Sequence, residues 1–222
     1  NLDGKYVTLK DYLEAAKEKH ENKIFYVTDE KEQSQYINMF REEKLDAVIL
    51  THNIDNPFIT HEEQKHEGVK FLRIDADVNE MFKEEVKEED KETLEQEAKT
   101  LTETFRRALG NDKLEVKVEK LKNESVSSMI TVAEETRRMQ EMMKMYNMYG
   151  MDPSMFGGQE TLILNAKHPL VQYILKNGEN DNTSLFCEQL YDLAMISHKP
   201  LSPDEMTKFV SRSNQIMMLL AK

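Results

Sequence analysis

The sequence predicts a mixed α/β chain in two parts: a small parallel β-α-β-α-β subdomain, then an α+β domain. Helix and strand signals alternate over residues 6–78, the composition turns strongly acidic after residue 77, and two amphipathic helices close the chain. Glycine and proline number only 7 and 5, well below average usage, so few turns and long helices are expected. We place the parts at residues 1–85 (small α/β subdomain), 86–109 (connecting helix) and 110–222 (α+β domain).

The first predicted helix covers residues 9–19, because Thr8 is a good N-cap and Asp11 places an acid in the first turn. Short β-branched and aromatic runs then alternate with helical spacing of apolar residues. The run at residues 46–51 is almost continuously apolar, which is typical of strands in parallel sheets. The predicted strands are residues 23–28, 46–51 and 69–75, and the remaining helices are residues 34–43 and about 60–67.

The connecting segment is acidic but regular. Residues 80–99 hold nine acids against four bases, and one apolar stripe recurs at helical spacing. The stripe consists of Leu94, Ala98, Leu101, Phe105 and Ala108. We favour a solvated helix lying on a neighbour over the alternative of an acidic recognition tail, because disordered tails lack such a stripe.

The second domain begins after Gly110, which ends the connecting helix. Alternation of apolar and charged residues from Leu114 predicts a strand with one wet face. Ser202 and Glu205 can form a capping box around Pro203, which marks a strong helix start. The predicted strands are residues 114–121, 125–132 and 160–165, and the predicted helices are residues 131–149, 168–176, 184–198 and 203–221.

Charge and cysteine content exclude several classes of partner. The formal net charge is −12, which repels nucleic acid and anionic membranes. The longest apolar run, residues 216–221, is far too short to span a bilayer. A single cysteine, Cys187, cannot form an internal disulfide and fits a reducing compartment, so a cytoplasmic protein is expected.

No catalytic constellation is visible in the sequence. His61 and His66 are five residues apart, about 140° on a helical wheel, whereas a helical zinc site needs the i, i+4 spacing. The only adjacent glycines, Gly157 and Gly158, do not follow a strand as a phosphate-binding loop requires. We therefore predict no catalytic residue, no metal and no cofactor in this chain, and keep a metal-dependent hydrolase using His52, His61 and His66 as an alternative.

Methionine is concentrated in one predicted helix. Seven of the 14 methionines lie between Met139 and Met155, and the apolar arc exceeds half of the helix circumference, more than one core contact needs. This predicts an adaptable apolar binding surface, rimmed by Arg137, Arg138 and Lys144. The predicted binding residues are Met139, Met142, Met143, Met145, Tyr146, Met148 and Tyr149. The alternative is a structural dimerisation adaptor in which this helix is buried.

The last two helices carry more apolar surface than they can bury against each other. A second copy of the chain would complete a four-helix bundle, so we predict a homodimer. Packing against the preceding strands is the alternative. The predicted dimer-interface residues are Leu185, Phe186, Leu190, Leu193, Met206, Phe209, Val210, Ile216, Met217 and Leu220.

Several segments resemble one chaperone family over nearly the whole chain. They are residues 5–12 (KYVTLKDY), 23–28 (KIFYVT), 45–50 (LDAVIL), 53–55 (NID), 68–72 (GVKFL), 105–112 (FRRALGND), 116–118 (VKV) and 164–171 (LNAKHPLV). In this order they are similar to the end of the middle domain and the C-terminal dimerisation domain of the ninety-kilodalton heat-shock chaperones. The bacterial high-temperature protein G branch is the most similar.

The resemblance implies a role in ATP-driven remodelling of non-native client proteins during stress, with this segment supplying homodimerisation and part of the client surface. Where bacterial members carry an acid and an aromatic residue for client binding, this chain has Asn56, Pro57 and Phe58, and only Phe58 keeps the apolar role. Asn1 is not an initiator methionine, so we expect an excised segment. The resemblance places ATP, magnesium and the ATPase in the longer parent protein.

Overall fold

The computed structural model describes residues 1–52, 54–76, 82–134, 136–139, 160–178, 180 and 182–221. Contacts group the chain into two compact units, Asn1–Asp77 and Val78–Lys222. Each unit is described by itself below.

The first unit is a parallel sheet with three helices. Its elements are α1 (Leu9–His20), β1 (Lys23–Val27), α2 (Ser34–Glu42), β2 (Val48–Ile49), α3 (Asp55–Lys65) and β3 (Lys70–Arg73). The strand order is β2-β1-β3, and β1 pairs in parallel with both neighbours. Tyr26 lies opposite Val48, and Lys23 lies opposite Lys70. The predicted β-α-β-α-β unit is confirmed.

The central strand of the first unit is buried on both faces, from Ile24 to Val27. Thr8 caps α1 as predicted, accepting a hydrogen bond from the Asp11 amide. Helix α3 begins at Asp55, earlier than predicted, and the Asp55 carboxylate accepts a hydrogen bond from the His52 amide at 2.8 Å. Because Ile59 is the one buried residue of α3, the apolar spacing gave little indication of where this helix starts.

A polar group lies inside the first unit, on the last residue of α1. The His20 ring is 3% exposed and meets the Phe25 ring edge-on, with centroids 4.9 Å apart. Its Nδ1 lies 3.3 Å from the Tyr12 hydroxyl. That hydroxyl donates its one proton to the Asp46 carbonyl at 2.7 Å, so Nδ1 must carry a proton and donate to the hydroxyl oxygen. Burial lowers the pKa of His20 to about 4, outweighing the opposing attraction of Asp46.

The second unit is an α+β arrangement around a mixed sheet. Its elements are α4 (Glu88–Leu109), β4 (Glu115–Glu119), β5 (Ser128–Thr131), β6 (Thr161–Asn165), α5 (Pro169–Lys176), α6 (Thr183–Ile196) and α7 (Pro203–Leu220). The strand order is β4-β6-β5, with β6 parallel to β4 and antiparallel to β5. The three strands predicted for this part are confirmed.

Helix α4 packs its apolar stripe into the core of the second unit. Leu101 and Phe105 are fully buried there, and Leu94, Ala98 and Ala108 pack against the same core. The helix ends at Gly110, whose φ of 59° is left-handed. The Asn111 amide then donates to the Arg106 carbonyl at 3.0 Å, which satisfies a carbonyl of the last turn. The charged helix with one apolar stripe is confirmed.

One buried amide organises the turns at the end of β6. The Asn165 side chain is fully buried; its Oδ1 accepts from the Leu121 and Lys167 amides, each at 3.1 Å. Its Nδ2 donates to the carbonyls of Asn123 at 3.1 Å and Val126 at 2.9 Å. Three of these bonds reach the connection between β4 and β5 and one reaches the turn after β6, so Asn165 ties the two segments together.

No helix in the part of the chain that the structure describes is long and apolar enough to cross a membrane.

Candidate interaction surfaces

Helix α7 begins where the sequence predicted. The Ser202 hydroxyl accepts from the Glu205 amide at 3.4 Å, and the Ser202 amide donates to Glu205 Oε2 at 2.8 Å. Both halves of the capping box are therefore formed. The hydrogen bonds from Ser202 lower the pKa of Glu205. The positive end of the helix dipole also stabilises the negative charge of this carboxylate.

Polar side chains link α6 and α7, which the sequence did not indicate. Arg212 is 7% exposed, and it alone is buried among the described side chains of α7. It donates to Glu188 Oε2 at 2.8 Å, to Gln189 Oε1 at 3.2 Å and to the Asp192 carboxylate. Gln189 Nε2 also donates to the Ser213 hydroxyl at 3.0 Å. Several apolar side chains of α7 nevertheless remain exposed.

Three of those apolar side chains form one exposed stripe. Met206, Val210 and Met217 are 39%, 50% and 58% exposed. On a wheel of 100° per residue they lie about 120°, 160° and 140° from Arg212, so they share one face. Met218 is also exposed, on another side of the helix. We call Met206, Val210 and Met217 the α7 stripe.

The remaining predicted interface residues have different environments. Leu193 is 42% exposed, whereas Leu190 is buried in the core of its own unit. Phe186 is half-buried and packs edge-on against Tyr173, with centroids 5.4 Å apart. The other half-buried members are Leu185, Phe209 and Ile216. The side chain of Leu220 lies outside the described residues.

Only the start of the predicted methionine helix is described. Residue 134 and residues 136–139 are helical, and Met139 is 38% exposed. The other predicted binding residues, Met142, Met143, Met145, Tyr146, Met148 and Tyr149, lie outside the described residues, as does the predicted rim residue Lys144.

The prediction that Arg137 rims an exposed surface is wrong. Its side chain is 4% exposed and bonds both carboxylate oxygens of Glu134, at 2.5 and 3.0 Å. Arg138 donates to the same carboxylate at 2.7 Å. Burial alone would raise the pKa of Glu134, but the two arginines outweigh it and lower that pKa. Both arginines therefore pair with Glu134 in this turn of the helix, and Arg138 remains partly exposed at 31%.

Phe58 lies on an apolar surface of the first unit. Its ring is 45% exposed, and Ile54, the N-cap residue of α3, and Tyr6 in the N-terminal segment are more exposed still. Phe58 also lines a groove of about 480 Å³ in this unit. Other groove residues include Val7, Leu9, Val48, Leu50 and Phe71.

The residues considered for catalysis do not assemble into a site. His61 Nδ1 and His66 Nε2 each contact Glu62, at 3.2 and 3.4 Å, and no group of three or more histidine, cysteine or acidic residues among the described ones is arranged to hold a metal ion. Burial raises the pKa of the Cys187 thiol to about 12, so the thiol stays protonated and is a poor nucleophile.

Three of the four described glycines are not placed to bind a nucleotide phosphate. Gly68 precedes β3 and Gly110 follows α4, while Gly4 lies well before the start of α1. None of these three lies at a loop leading directly into a helix N-terminus, the arrangement that cradles phosphates.

Together, the described residues define an α/β and α+β protein of two units with exposed apolar helix faces. The chain belongs to the Hsp90 protein family, whose model matches residues 1–222. This confirms the resemblance seen in the sequence.

Similar bacterial proteins support the same family assignment. The chain is 32% identical over 192 residues to the chaperone protein HtpG of Bacteroides thetaiotaomicron, a match covering 81% of this chain and 27% of the relative. It is 32% identical to the Bacteroides fragilis (strain YCH46) chaperone protein htpG over 82% of this chain and 28% of the relative. It is 25% identical to the Shewanella amazonensis chaperone protein HtpG over 96% of this chain and 33% of the relative. The chain thus matches about a third or less of the length of these relatives.

Proposed function

We propose that this chain is the part of a bacterial Hsp90-family chaperone that holds two copies together and offers apolar surface to non-native client proteins. The observation that carries the proposal is the α7 stripe: three large apolar side chains on one helix face that are 39%, 50% and 58% exposed. Family membership and the chaperone names of the relatives support the same conclusion. We further propose that the parent protein acts in the cytoplasm during stress.

Homodimerisation would proceed through α6 and α7 in a four-helix bundle. A two-fold axis brings the same face of each copy together, so a stripe on one copy meets its own duplicate. Burying Met206, Val210 and Met217 removes apolar area from water, which stabilises the dimer by about 25 cal/mol for each Å² buried. Exposed Leu193 on α6 would extend the contact, with half-buried Leu185, Phe186, Phe209 and Ile216 behind it. Leu190 would support the interface from within its own core.

Sedimentation velocity over a range of protein concentrations tests the dimer. We expect a mass of two chains for the unaltered protein. A Phe209→Ala/Ile216→Ala variant should shift the mass toward one chain, since each large-to-small change in a packed interior costs roughly 2–5 kcal/mol. A dimer that persists unchanged in this variant at nanomolar concentration would refute the four-helix bundle.

Client binding is proposed for Met139, for the methionines and tyrosines that follow it, and for Phe58. Unbranched thioethers adapt to partners of different shape, and an exposed aromatic ring adds a large apolar contact. Amide hydrogen exchange over residues 131–158, with and without an unfolded model client, tests this. Exchange that slows when the client is added supports the proposal.

The second candidate function is a structural dimerisation adaptor in which the methionine helix is buried. Strong amide protection that client does not change would favour the adaptor, as would failure of an environment-sensitive apolar dye to bind. A Met139→Ser variant sharpens the comparison, because loss of dye signal would assign the dye to this helix. Met218→Ser is the matched control, since it removes an exposed methionine from a different surface.

We propose that ATP and magnesium are bound by the longer parent and that this segment is not itself an enzyme. Isothermal titration of MgATP into this chain should give no binding heat. Saturable heat at micromolar MgATP would overturn this assignment.

A further inference from the structure

The most unusual group outside the exposed surfaces is the buried guanidinium of Arg212. Every one of its three nitrogen atoms donates: Nε to Gln189, Nη1 to Glu188, and Nη2 to Asp192 and, at 3.4 Å, to the Glu188 carbonyl. All three acceptor residues belong to one turn of α6. A planar group held on all sides in this way has one orientation relative to that turn.

This arrangement restricts how α7 can lie on α6. Sliding one helix by a single residue moves it about 1.5 Å along its axis and turns its contacts by about 100°. Either change would pull the Arg212 nitrogens away from acceptors that lie at 2.8 and 3.2 Å. A purely apolar contact would tolerate such a shift, because dispersion contacts are not directional.

Stability alone does not account for a buried ion cluster. Desolvating the charges offsets much of their attraction, and apolar replacements of similar volume are often equally stable. The best-attested role of such groups between helices is to fix the register. Desolvation is visible here, since burial raises the pKa of Asp192 although the Arg212 guanidinium opposes the shift.

We propose that Arg212 is a positioning residue of the dimer: it holds α7 in one register on α6, so that Met206, Val210 and Met217 face the second copy as one aligned stripe. This inference rests on the proposed homodimerisation. Arg212 itself need not touch the second copy, because it acts through the placement of the stripe.

The test measures distances between copies as well as affinity. The reference protein carries Cys187→Ala and a spin label at Lys208→Cys, an exposed position about 180° from Met217 on the α7 wheel. Electron–electron double resonance should give one narrow distance for the reference dimer. In Arg212→Met the distribution should broaden or split. If the aligned hairpin falls to about a third of the population, the apparent dimer dissociation constant rises about ninefold, because both copies must be aligned.

Two further variants separate positioning from stability and charge. Arg212→Met/Asp192→Leu removes the carboxylate that the single change strands, so it should regain thermal stability yet keep the broad distances. Arg212→Lys keeps the positive charge but not the planar three-way geometry, so its distances should also stay broad. If Arg212→Met fails to fold, the double variant carries the test.

Different results would overturn the homodimer and the positioning role of Arg212. A dimeric reference together with a folded Arg212→Met protein of equal affinity and a single narrow distance overturns this inference alone. Full recovery of the narrow distance in Arg212→Lys also overturns it, because charge would then suffice. A reference that stays monomeric at high concentration overturns homodimerisation and this inference together.

Discussion

Acid should weaken the first unit through one histidine. His20 is 3% exposed, and burial lowers its pKa from 6.5 to about 4. Between about pH 4 and pH 6.5, His20 is therefore protonated in the unfolded chain but neutral in the folded unit. For a lowered histidine pKa, the stabilisation is fully present above about pH 6.5 and is lost as the pH falls toward 4. Protonation would place a charge at Nε2 inside an aromatic cluster.

The size of the effect follows from the two pKa values. At pH 5, a group that shifts from 6.5 in the unfolded chain to about 4 in the folded unit costs about 2 kcal/mol relative to pH 7. At pH 4 or below the loss approaches about 3 kcal/mol. Domains are typically stable by only 5–15 kcal/mol, so this is a measurable fraction of the total.

The assay is amide hydrogen exchange of the buried strand β1, recorded by NMR at pH 7, 6 and 5 and corrected for intrinsic exchange rates. The free energy of opening for Ile24–Val27 should fall by about 2 kcal/mol between pH 7 and pH 5. A His20→Gln variant, whose amide can still donate to the Tyr12 hydroxyl, should lose most of this dependence. His61→Gln, which changes an exposed histidine, should keep it.

Two results would refute the reasoning. If His20→Gln shows the same pH slope as the unaltered chain, another group titrates. If β1 protection is flat from pH 7 to pH 5 in the unaltered chain, the pKa of His20 is the same in the folded and unfolded states, and burial does not lower it.

Three further outcomes are expected. Val210→Glu/Met217→Glu should abolish the dimer, since a charge in place of each exposed apolar side chain must be desolvated on association; sedimentation should show one chain, whereas Lys208→Glu, on another side of α7, should leave the mass unchanged. Asn165→Ala should lower the free energy of unfolding by about 3 kcal/mol or more in urea titrations, because it leaves several buried backbone groups unpaired; an unfolding midpoint within error of the unaltered one would contradict this. Gly110→Ala should cost about 1 kcal/mol by the same titration, because alanine is disfavoured at the left-handed end of α4, and an unchanged or higher midpoint would count against that assignment.

Elements defined by periodicity were predictable. Alternation of apolar and polar residues gave β4, and a nearly continuous apolar run gave β2, although β2 itself is only Val48–Ile49. Capping chemistry located the starts of α1 and α7, because Thr8 and Ser202 satisfy amides that a helix start otherwise leaves free. These features depend on neighbours in sequence, which a single chain displays directly.

Features that depend on distant partners were not predictable. Arg212 and Arg137 are cations in helices, and a sequence offers no reason to place them inside. Arg137 is buried because Glu134 lies one turn before it, while Arg212 depends on acceptors more than twenty residues away. The burial of Leu190 is similar, since its helix presents one face to the sheet and another to α7. Apolarity alone cannot say which face serves which purpose.

The antiparallel pairing of β5 with β6 has an evolutionary consequence. Thr131 lies opposite Thr161, so residues 132–160, which carry the predicted methionine surface, form a closed connection anchored at both ends in one ladder. The entropy of closing such a loop grows only with the logarithm of its length, and doubling it costs about 0.6 kcal/mol. Insertions and deletions between these anchors can therefore accumulate with little effect on the sheet.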